Sequence, residues 1–429
     1  MPRILFAISD TGSGHRSGAV AISAAIQQLG GPAYECHIVD ILARTGMPIV
    51  RDAPQLFDQL STRWLPLFNL IYQATDGRRR VDTLTQLVYL GAHRNLLHVL
   101  NEVQPDLVVS VHAIVNRMIG YSRSTYRLPF RFLTVVTDLV TIHAAWSDPQ
   151  AELCIVPTAE AYERLSLGPL PHAKLLQLGF PVHPKFAAYE RSQAEAQQDL
   201  GVAGAPFTVL ITSGGVGSGN LRDVVLDLRR SFPDIQLLVV TGRNTALYED
   251  LVGLKLGATT AIFGFVDNME ALMAAADVVV TKAGPGTLME ALVMRRPVIV
   301  TQAVGPQERG NIDFVLNHEF GAYCPTIDRI TPALTDLMRP EIYAATVERL
   351  NGAVPRDGAL QIARALMQQL ELAPPARRSR LRQIALRTVG QLRTPHLDGS
   401  TLRRLPRRAL HLRGLRTLRR AVRRARRSR

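Results

Sequence analysis

The stretch KAGPGTLMEALVMRRPVIVTQAVGPQERGN, residues 282–311, contains two glycine–proline turns, one on either side of a short helix-like segment and an apolar run. The apolar run, PVIVTQA, has the length and composition of a buried strand. Polar loops that contain glycine at successive strand ends are typical of a site for a phosphorylated and hydroxylated ligand. The stretch therefore predicts an α/β fold with such a site at the carboxyl ends of its strands.

The same alternation of apolar strands and helices extends over most of the 429 residues. Strand-like runs occupy residues 3–9, 35–41, 106–113, 130–138, 152–157 and 174–180, and the pattern restarts with runs at 207–215, 235–243, 259–265, 276–284 and 297–303. Continuous apolar strands between helices predict parallel sheets that are covered on both faces. We therefore predict two Rossmann-like parallel-sheet domains that face each other across a cleft, at residues 1–183 and 205–372. Residues 184–204 are predicted to form a connecting helix and linker, and residues 373–429 a separate basic tail.

The composition predicts a protein of the reducing cytoplasm. The three cysteines, Cys36, Cys154 and Cys324, are far apart and odd in number, so they indicate neither a disulfide framework nor a zinc site. No apolar run reaches the roughly 18 residues that span a bilayer. The N-terminus, MPRILFAISD, lacks the layout of a signal peptide.

The net charge of +14 comes from the C-terminal end of the chain. Residues 372–429 contain 19 arginines and one acid, Asp398, whereas the rest of the chain has a net charge of −4. Apolar residues recur every three to four positions among these arginines: Leu402, Leu405, Leu410, Leu412, Leu415, Leu418 and Val422. This cationic amphipathic pattern predicts binding to an anionic membrane surface. A disordered arginine tail, or one that binds nucleic acid, is the alternative; nucleic acid is disfavoured because no aromatic residue is interleaved for base stacking.

The stretch SDTGSGHRSG, residues 9–18, follows the first strand and begins the first helix. Gly12 and Gly14 let backbone amides approach a ligand, and the helix N-terminus favours a negative charge there. His15 lies at the helix start, where the helix dipole favours a neutral imidazole that can accept a proton. A capping turn with a surface histidine is the alternative that this stretch leaves open.

Five stretches of the second half carry features of a nucleotide-sugar site. TSGGVGSGN, residues 212–220, repeats the strand, glycine loop and helix of the N-terminus; TGRN offers Arg243 to a phosphate; and the backbone of FGFVDNM, residues 263–269, is suited to the edge of a base. In TKAGPGTLMEA, the Gly286 and Thr287 amides suit a diphosphate, and Glu290 suits ribose hydroxyls. QERGN, residues 307–311, offers an amide and a carboxylate to sugar hydroxyls. The alternatives are a flexible turn for TSGGVGSGN, a solvated arginine for TGRN, and an ordinary turn with an N-cap for FGFVDNM.

Two further stretches suit an acceptor. TDLVTIHAAW, residues 137–146, places Asp138, His143 and Trp146 beyond a strand end, where a packed Trp and polar strand-end residues are the alternative. Residues 56–80 combine bulky apolar side chains, among them Trp64 and Phe68, with three arginines. That mixture is typical of a segment that dips into a membrane interface, although an internal amphipathic helix packed on the domain fits it as well.

The order of these motifs over residues 3–325 resembles that of the monogalactosyldiacylglycerol synthases and the bacterial diacylglycerol glycosyltransferases. These are two-Rossmann (GT-B) enzymes of glycosyltransferase family 28, and VTKAGPGTLMEA is the most specific stretch of the similarity. The resemblance implies a UDP-sugar-dependent hexosyltransferase that uses UDP-galactose or UDP-glucose and transfers the sugar to diacylglycerol or a related lipid with inversion. Together with the basic tail, this activity predicts a cytoplasmic protein that is peripheral on the inner face of the cell membrane.

The resemblance also implies roles for individual residues. It assigns the donor site to Arg243, Phe265, Gly284, Pro285, Gly286, Thr287, Glu290, Gln307, Glu308 and Asn311, and it matches His15 to the histidine that is proposed as the catalytic base. From the stretches themselves we add Gly214, Gly215, Val266 and Lys282 to the predicted donor site. In the same way, Asp138 is predicted to assist the base, and the acceptor or lipid is predicted to lie near Gly12, Gly14, His143, Trp146, Trp64 and Phe68. No obligatory metal or other cofactor is expected, because no DxD-like pair stands at a matching place.

The sequence departs from the family pattern at three places. Ser13 stands where the family often has glycine, Val216 and Ser218 replace a common Glu and Met, and Pro306 separates Gly305 from Gln307. Three other functions share part of the pattern: an N-acetylglucosaminyltransferase that acts on the lipid-linked peptidoglycan precursor, a UDP-sugar 2-epimerase, and a non-catalytic nucleic-acid-binding protein. The first usually carries a GGTGGH-type loop, the second needs no lipid, and the third leaves the glycine loops without a role.

Overall fold

Two parallel sheets of six strands each form the centre of the protein. The structure, a computed structural model, describes residues 1–10, 13–43, 78–202, 207–212, 214, 220–303 and 305–372. The strands are β1 (Arg3–Ile8), β2 (Glu35–Asp40), β3 (Leu107–Ser110), β4 (Arg131–Val135), β5 (Leu153–Val156), β6 (Leu175–Gln177), β7 (Thr208–Thr212), β8 (Gln236–Val240), β9 (Thr260–Phe263), β10 (Val278–Thr281), β11 (Val298–Val300) and β12 (Gly321–Tyr323). The predicted GT-B class, with two Rossmann-like sheets, is confirmed; the domain boundaries given above stay predictions.

Helices cover both sheets. They are α1 (Ser13–Gly30), α2 (Arg78–Val103), α3 (Ala113–Tyr126), α4 (Ala159–Ser166), α5 (Pro184–Ala187), α6 (Gln193–Asp199), α7 (Leu221–Ser231), α8 (Thr245–Gly253), α9 (Met269–Ala275), α10 (Pro285–Val293), α11 (Gly305–Asn317), α12 (Ile330–Leu337), α13 (Pro340–Ala353) and α14 (Gly358–Glu371). Among the helices in these described ranges, none is long and apolar enough to cross a membrane.

The strand order places two switch points at the carboxyl edges of the sheets. The first sheet runs β2-β1-β3-β4-β5-β6 and the second β12-β11-β10-β7-β8-β9. The chain therefore reverses its direction of travel between β1 and β3, and again between β7 and β10. Crevices beyond the carboxyl ends of the strands at such reversals are where open α/β sheets bind ligands. The loops after β1, β3, β7 and β10 are consequently the first places to look for a site.

The central strands of both sheets are largely apolar and buried because helices cover both faces, whereas the edge strands β2 and β9 are mostly half-buried. In β1, Leu5 and Ala7 pack in one buried cluster, whereas Ile4, Phe6 and Ile8 pack in another on the opposite face. This alternation follows the two-residue period of a strand. Complete burial of each large apolar side chain contributes about 1.5–3 kcal/mol.

The last described helix returns the chain to the first sheet. Ile362, Ala363 and Leu366 of α14 are buried in the same cluster as Ile22 and Ile26 of α1. The chain thus crosses between the two sheets twice, once through residues 178–207 and once just before α14. Two connections restrict relative motion of the sheets more than one linker would.

Three local expectations differ from the structure. Strand β12 was not predicted, because three half-buried residues that begin with glycine give no apolar run. Residues 184–202 form two short helices rather than one, since Ser192 and Glu195 make a capping box that starts a new helix. QERGN does not precede a helix but lies within α11, which begins at Gly305; Pro306 is compatible with this first turn, where an N–H has no helical partner.

Close backbone approach at Gly310 joins α11 to the loop that follows β4. A Cβ atom at Gly310 would lie 2.5 Å from Thr141 Oγ1 and 2.9 Å from Thr141 N. We therefore expect Gly310→Ala to lower the free energy of unfolding by about 1–3 kcal/mol, the usual cost of overpacking, in urea denaturation. Gly253→Ala is the control, because a Cβ there meets no heavy atom within 4 Å. Equal stability of Gly310→Ala and the wild type would contradict the expectation.

Candidate active site

His15 lies in the first turn of α1, directly beyond the carboxyl end of β1. Its Nδ1 atom is 3.0 Å from Thr137 Oγ1, which follows β4. The His112 ring, at the end of β3, meets the His15 ring edge-on with 4.6 Å between centroids. Three strand ends of the first sheet thus converge on one imidazole at the switch point between β1 and β3.

The His15 imidazole is held in its neutral form. Burial among protein atoms is the main cause that lowers its pKa to about 4, and it outweighs the hydrogen bond with the Val111 backbone and the charge of Asp10, which both act in the opposite direction. A histidine with this pKa is uncharged at neutral pH. It can therefore accept a proton from a bound hydroxyl group.

Asp138 is tied to the buried Trp146. The indole Nε1 donates a hydrogen bond of 2.6 Å to Asp138 Oδ2. Burial raises the pKa of Asp138 to about 6 despite this hydrogen bond, and the charge of Glu308 raises it further. Glu308 belongs to α11, which approaches the loop after β4 closely at Gly310 and Thr141.

Trp146 and His143 have local structural partners. The Trp146 side chain is fully buried, and His143 Nδ1 accepts a hydrogen bond from Ala145 N at the start of the short 3-10 turn Ala144–Trp146. The burial of the indole fits a role in orienting Asp138. Direct contact of either side chain with an acceptor stays a prediction.

The N-terminus of α10, in the second half of the chain, corresponds to the start of α1 in the first half. Gly284 is the N-cap residue, and Pro285 occupies the first turn. The N–H groups of Gly286 and Thr287 also lie in this first turn, so no carbonyl of the helix accepts a hydrogen bond from them. Lys282 Nζ forms an ion pair of 2.9 Å with Glu308 Oε1, and a Cβ atom on Gly284 would lie 3.3 Å from the same Nζ. Backbone amides and an ammonium group are therefore gathered at one helix start, which is suited to a diphosphate.

Two amide side chains of α11 stand beside this loop. Asn311 is buried, and its Nδ2 donates a hydrogen bond of 2.7 Å to the Ala283 carbonyl, so it fixes the backbone just before Gly284. The buried Gln307 Oε1 has no hydrogen-bond partner among the described residues. A buried acceptor without a partner is costly, and a ligand hydroxyl would satisfy it.

Phe265 and Arg243 form an exposed stacked pair at the ends of β9 and β8. The Phe265 side chain is 62% exposed, and the Arg243 guanidinium lies 5.1 Å from the centre of its ring. An exposed aromatic face of this kind can stack on a base. Val266 follows Phe265 in the same loop and is half-buried.

Glu290 lies one turn into α10 and is half-buried. Burial raises its pKa to about 7; the nearby Lys185 acts in the opposite direction and Glu270 acts in the same one. Gly214, after β7, has a positive φ of 79°, and a Cβ there would lie 3.6 Å from Lys282 Cε. Gly214 thus adjoins the Lys282 side chain, as expected from the neighbouring positions of β7 and β10 in the sheet.

The starts of α1 and α10 face each other across the cleft between the sheets. A Cβ atom at Gly14 would lie 3.9 Å from Pro285 Cγ. The loop that carries His15 and the loop that suits a diphosphate are therefore next to each other. Gly12, Gly215, Trp64, Phe68 and the tail lie outside the described residues.

Sequence reasoning missed the partners of these residues. Thr137 was not proposed as the hydroxyl next to His15, nor was the ion pair between Lys282 and Glu308. The only available signal was that Thr137 and Asp138 directly follow a predicted strand. Among the described residues, no group of three or more His, Cys, Asp or Glu side chains is placed to hold a metal ion; the expectation that no metal is required stays a prediction.

Comparison with known proteins identifies the family. Residues 15–182 match the family model of monogalactosyldiacylglycerol (MGDG) synthase, and residues 208–304 match the glycosyltransferase family 28 C-terminal domain. A probable monogalactosyldiacylglycerol synthase 2 of Oryza sativa subsp. indica is 30% identical over 332 residues, which are 75% of this chain and 70% of the rice protein. The chain belongs to the monogalactosyldiacylglycerol synthase family. The resemblance inferred from the motifs is thus confirmed.

The other comparisons set the limits of the similarity. The monogalactosyldiacylglycerol synthase of Spinacia oleracea is 29% identical, and the match covers 79% of this chain and 66% of the spinach protein. This member of the monogalactosyldiacylglycerol synthase family therefore spans about two thirds of the length of that relative. The crystal structure of MurG from Acinetobacter baumannii matches with a TM-score of 0.54 at 15% identity, over 86% of this chain and 100% of that chain. Likeness at such low identity shows a shared fold alone.

Proposed function

We propose that this protein is an inverting glycosyltransferase that transfers galactose from UDP-galactose to diacylglycerol. The observation that carries the proposal is the approach of the α1 and α10 N-termini at Gly14 and Pro285, which places a neutral histidine beside a diphosphate-type loop. Membership in the family supports the sugar and the lipid, because its relatives are named for the galactosyldiacylglycerol that they make.

In the proposed donor site, the diphosphate binds the free amides at the start of α10 and the Lys282 ammonium. Phe265 and Arg243 hold the base, Glu290 holds the ribose, and Gln307 and Glu308 hold the sugar hydroxyls. The helix dipole and the amides stabilise the negative charge that develops on the leaving diphosphate. These groups are already in place in the folded chain, so little reorganisation is needed as the charge develops.

In the proposed reaction, the hydroxyl of the acceptor attacks the anomeric carbon from the face opposite to the diphosphate. His15 takes the hydroxyl proton as the new carbon–oxygen bond forms and the bond to the diphosphate breaks, which releases UDP and inverts the configuration. Thr137 orients the imidazole through Nδ1. Asp138, held by Trp146, adds a negative charge beside the protonated histidine or the acceptor.

We also propose that the enzyme works as a peripheral protein on the cytoplasmic face of the cell membrane. Its support is the sequence of residues 372–429, with 19 arginines and a regular pattern of leucines. Each basic residue near an anionic surface contributes on the order of 1 kcal/mol, screened by salt.

The function is tested by transfer of radiolabelled sugar from UDP-galactose, and separately from UDP-glucose, into anionic vesicles that contain diacylglycerol. We expect label in the organic phase with UDP-galactose. Transfer from UDP-glucose alone would mean that the transferred sugar is glucose and not galactose. Absence of transfer from both donors would contradict the proposed activity.

The pH dependence of the reaction should reflect the ionisation of Asp138. Because its pKa is raised to about 6, the carboxylate is ionised above this pH and protonated below it. We expect kcat/KM to fall about tenfold per pH unit below about pH 6, since only the ionised form assists His15. In Asp138→Asn kcat/KM should be lower and its decrease below pH 6 should be lost, whereas a change near pH 7 would reflect Glu290, whose pKa is raised to about 7. A wild-type profile that is flat between pH 7 and pH 5 would contradict the assignment.

A further inference from the structure

A cavity of about 330 Å³ lies at the end of the second sheet opposite to the candidate active site. It is lined by Ala274 at the end of α9 and by residues 294–296, which connect α10 to β11. These connections precede their strands, so the cavity adjoins the amino ends of β10 and β11. The cavity is therefore separate from the proposed donor site.

Four arginine side chains line this cavity: Arg191, Arg295, Arg296 and Arg356. Two tyrosines, Tyr189 and Tyr343, also line it, and no acidic residue is among the described residues that do. Like charges gathered in one concavity repel each other unless an anion lies between them. The composition of the lining therefore calls for a negatively charged occupant.

The arginines are short of acidic partners within the described part of the chain. Arg191 pairs with Asp199. Arg296 donates to the Ala274 carbonyl and also interacts with the Tyr343 hydroxyl, and Arg356 donates to the Ala187 carbonyl. The Nε groups of Arg296 and Arg356 are buried and make no hydrogen bond with any described residue. Buried donors of this kind are rare and are normally satisfied by a ligand or water.

The carboxylates that influence the cavity lining already have partners. Burial raises the pKa of Tyr343 and the charge of Asp277 raises it further, but Asp277 Oδ2 accepts a hydrogen bond of 2.7 Å from Thr208 N. Burial and the charges of Asp199, Glu270 and Glu195 raise the pKa of Tyr189; these carboxylates bond to Arg191, Lys185 and Ser192. Arg295 and Arg356 line the same cavity, and burial and the charge of Arg295 both lower the pKa of Arg356.

The backbone at Arg295 limits which substitutions the position accepts. Its φ is +58°, in the left-handed region that often ends a helix and that glycine or asparagine normally occupies. Arg127 has the same conformation after α3, so this is an ordinary helix ending.

We propose that this cavity is a binding site for a phosphate group, separate from the donor site. Planar guanidinium groups bind phosphate oxygens in pairs, and a multiply charged oxyanion balances several cations where a single carboxylate would not. The phosphate belongs either to a free phosphorylated metabolite or to a lipid headgroup.

Both chain segments that cross between the sheets contribute to this site. Tyr189 and Arg191 belong to the first crossing, and Arg356 belongs to the return crossing before α14. A bound phosphate would therefore link cations from both crossings. Phosphate binding should stabilise the folded protein, because the unfolded chain has no equivalent binding site.

The test is titration of the full-length protein with inorganic phosphate at constant ionic strength, followed by the thermal midpoint. We expect Arg295→Asn to raise the Kd for phosphate about tenfold or more, as loss of a charge-assisted hydrogen bond predicts. Asparagine is compatible with the left-handed backbone, so this variant should fold. Arg127→Asn is the matched control: Arg127 also follows a helix with a positive φ, of 50°, but lies on the first half of the chain.

A parallel binding assay uses vesicles of phosphatidylcholine with and without phosphatidic acid. Loss of phosphate binding only in Arg295→Asn would support a site for a free phosphorylated ligand. Arg295-dependent binding to phosphatidic acid alone would support a lipid headgroup. If neither probe distinguishes Arg295→Asn from Arg127→Asn, the proposal is overturned, including the case in which phosphate binds only at the start of α10.

Discussion

Replacing His15 by alanine should lower kcat for galactose transfer about a hundredfold to ten-thousandfold, which is the usual contribution of a positioned general base. The imidazole lies at the start of α1, and its pKa of about 4 keeps it neutral at physiological pH. Alanine leaves the acceptor hydroxyl without a proton acceptor at the moment of attack. Because His15 belongs to the first half of the chain and the proposed donor residues to the second, the KM for UDP-galactose should change little.

The separation of kcat from KM is the informative part of this measurement. Initial rates over a range of UDP-galactose concentrations give both constants. Thr137→Val, which removes the hydroxyl at Nδ1 but keeps the volume, should cause a smaller loss of kcat in the same direction. His172→Ala, at an exposed histidine in a turn of the first half, is the control and should leave both constants unchanged. A His15→Ala variant with more than a tenth of the wild-type kcat would rule out the assignment.

Much of the fold was predictable because its central strands are buried and largely apolar. β7 and β8 are buried at every position, and such runs are visible in the sequence without further information. β12 was not predictable, because its three residues are half-buried and pair only with β11 at the edge of the sheet. The start of α11 was misplaced because polar residues and glycines indicate a loop, whereas Pro306 and a positive φ at Gly305 begin a helix.

The candidate site was predictable in its loops and not in its contacts. Glycine and polar residues after buried strands locate the loops, since the carboxyl ends of parallel strands meet at one edge. The contact between His15 and Thr137 joins residues 122 positions apart, and no periodicity or local motif reports such a pair. The cavity with Arg295 and Arg356 is similar: its arginines come from separate connections, and only the folded chain brings them together.

Replacing Gly286 by leucine should raise the KM for UDP-galactose about a hundredfold or more while the protein stays as stable as the wild type. A Cβ atom at Gly286 would meet no heavy atom within 4 Å, so the protein itself has room for a side chain. In the proposed complex, the diphosphate occupies this space against the free amides of the first turn of α10. Leucine would displace it, and each charge-assisted hydrogen bond that is lost contributes roughly 1.5–3 kcal/mol.

The expected stability distinguishes this variant from one that merely misfolds. Leucine has a higher helix propensity than glycine by about 0.5–1 kcal/mol, so urea unfolding should give an unchanged or slightly larger free energy of unfolding. Gly253→Leu, at the end of α8, is the matched control, because its Cβ would also meet no heavy atom within 4 Å. It should change neither KM nor kcat. If Gly286→Leu kept a KM within threefold of the wild-type value, the diphosphate would have to bind elsewhere, and the start of α10 would have only a structural role.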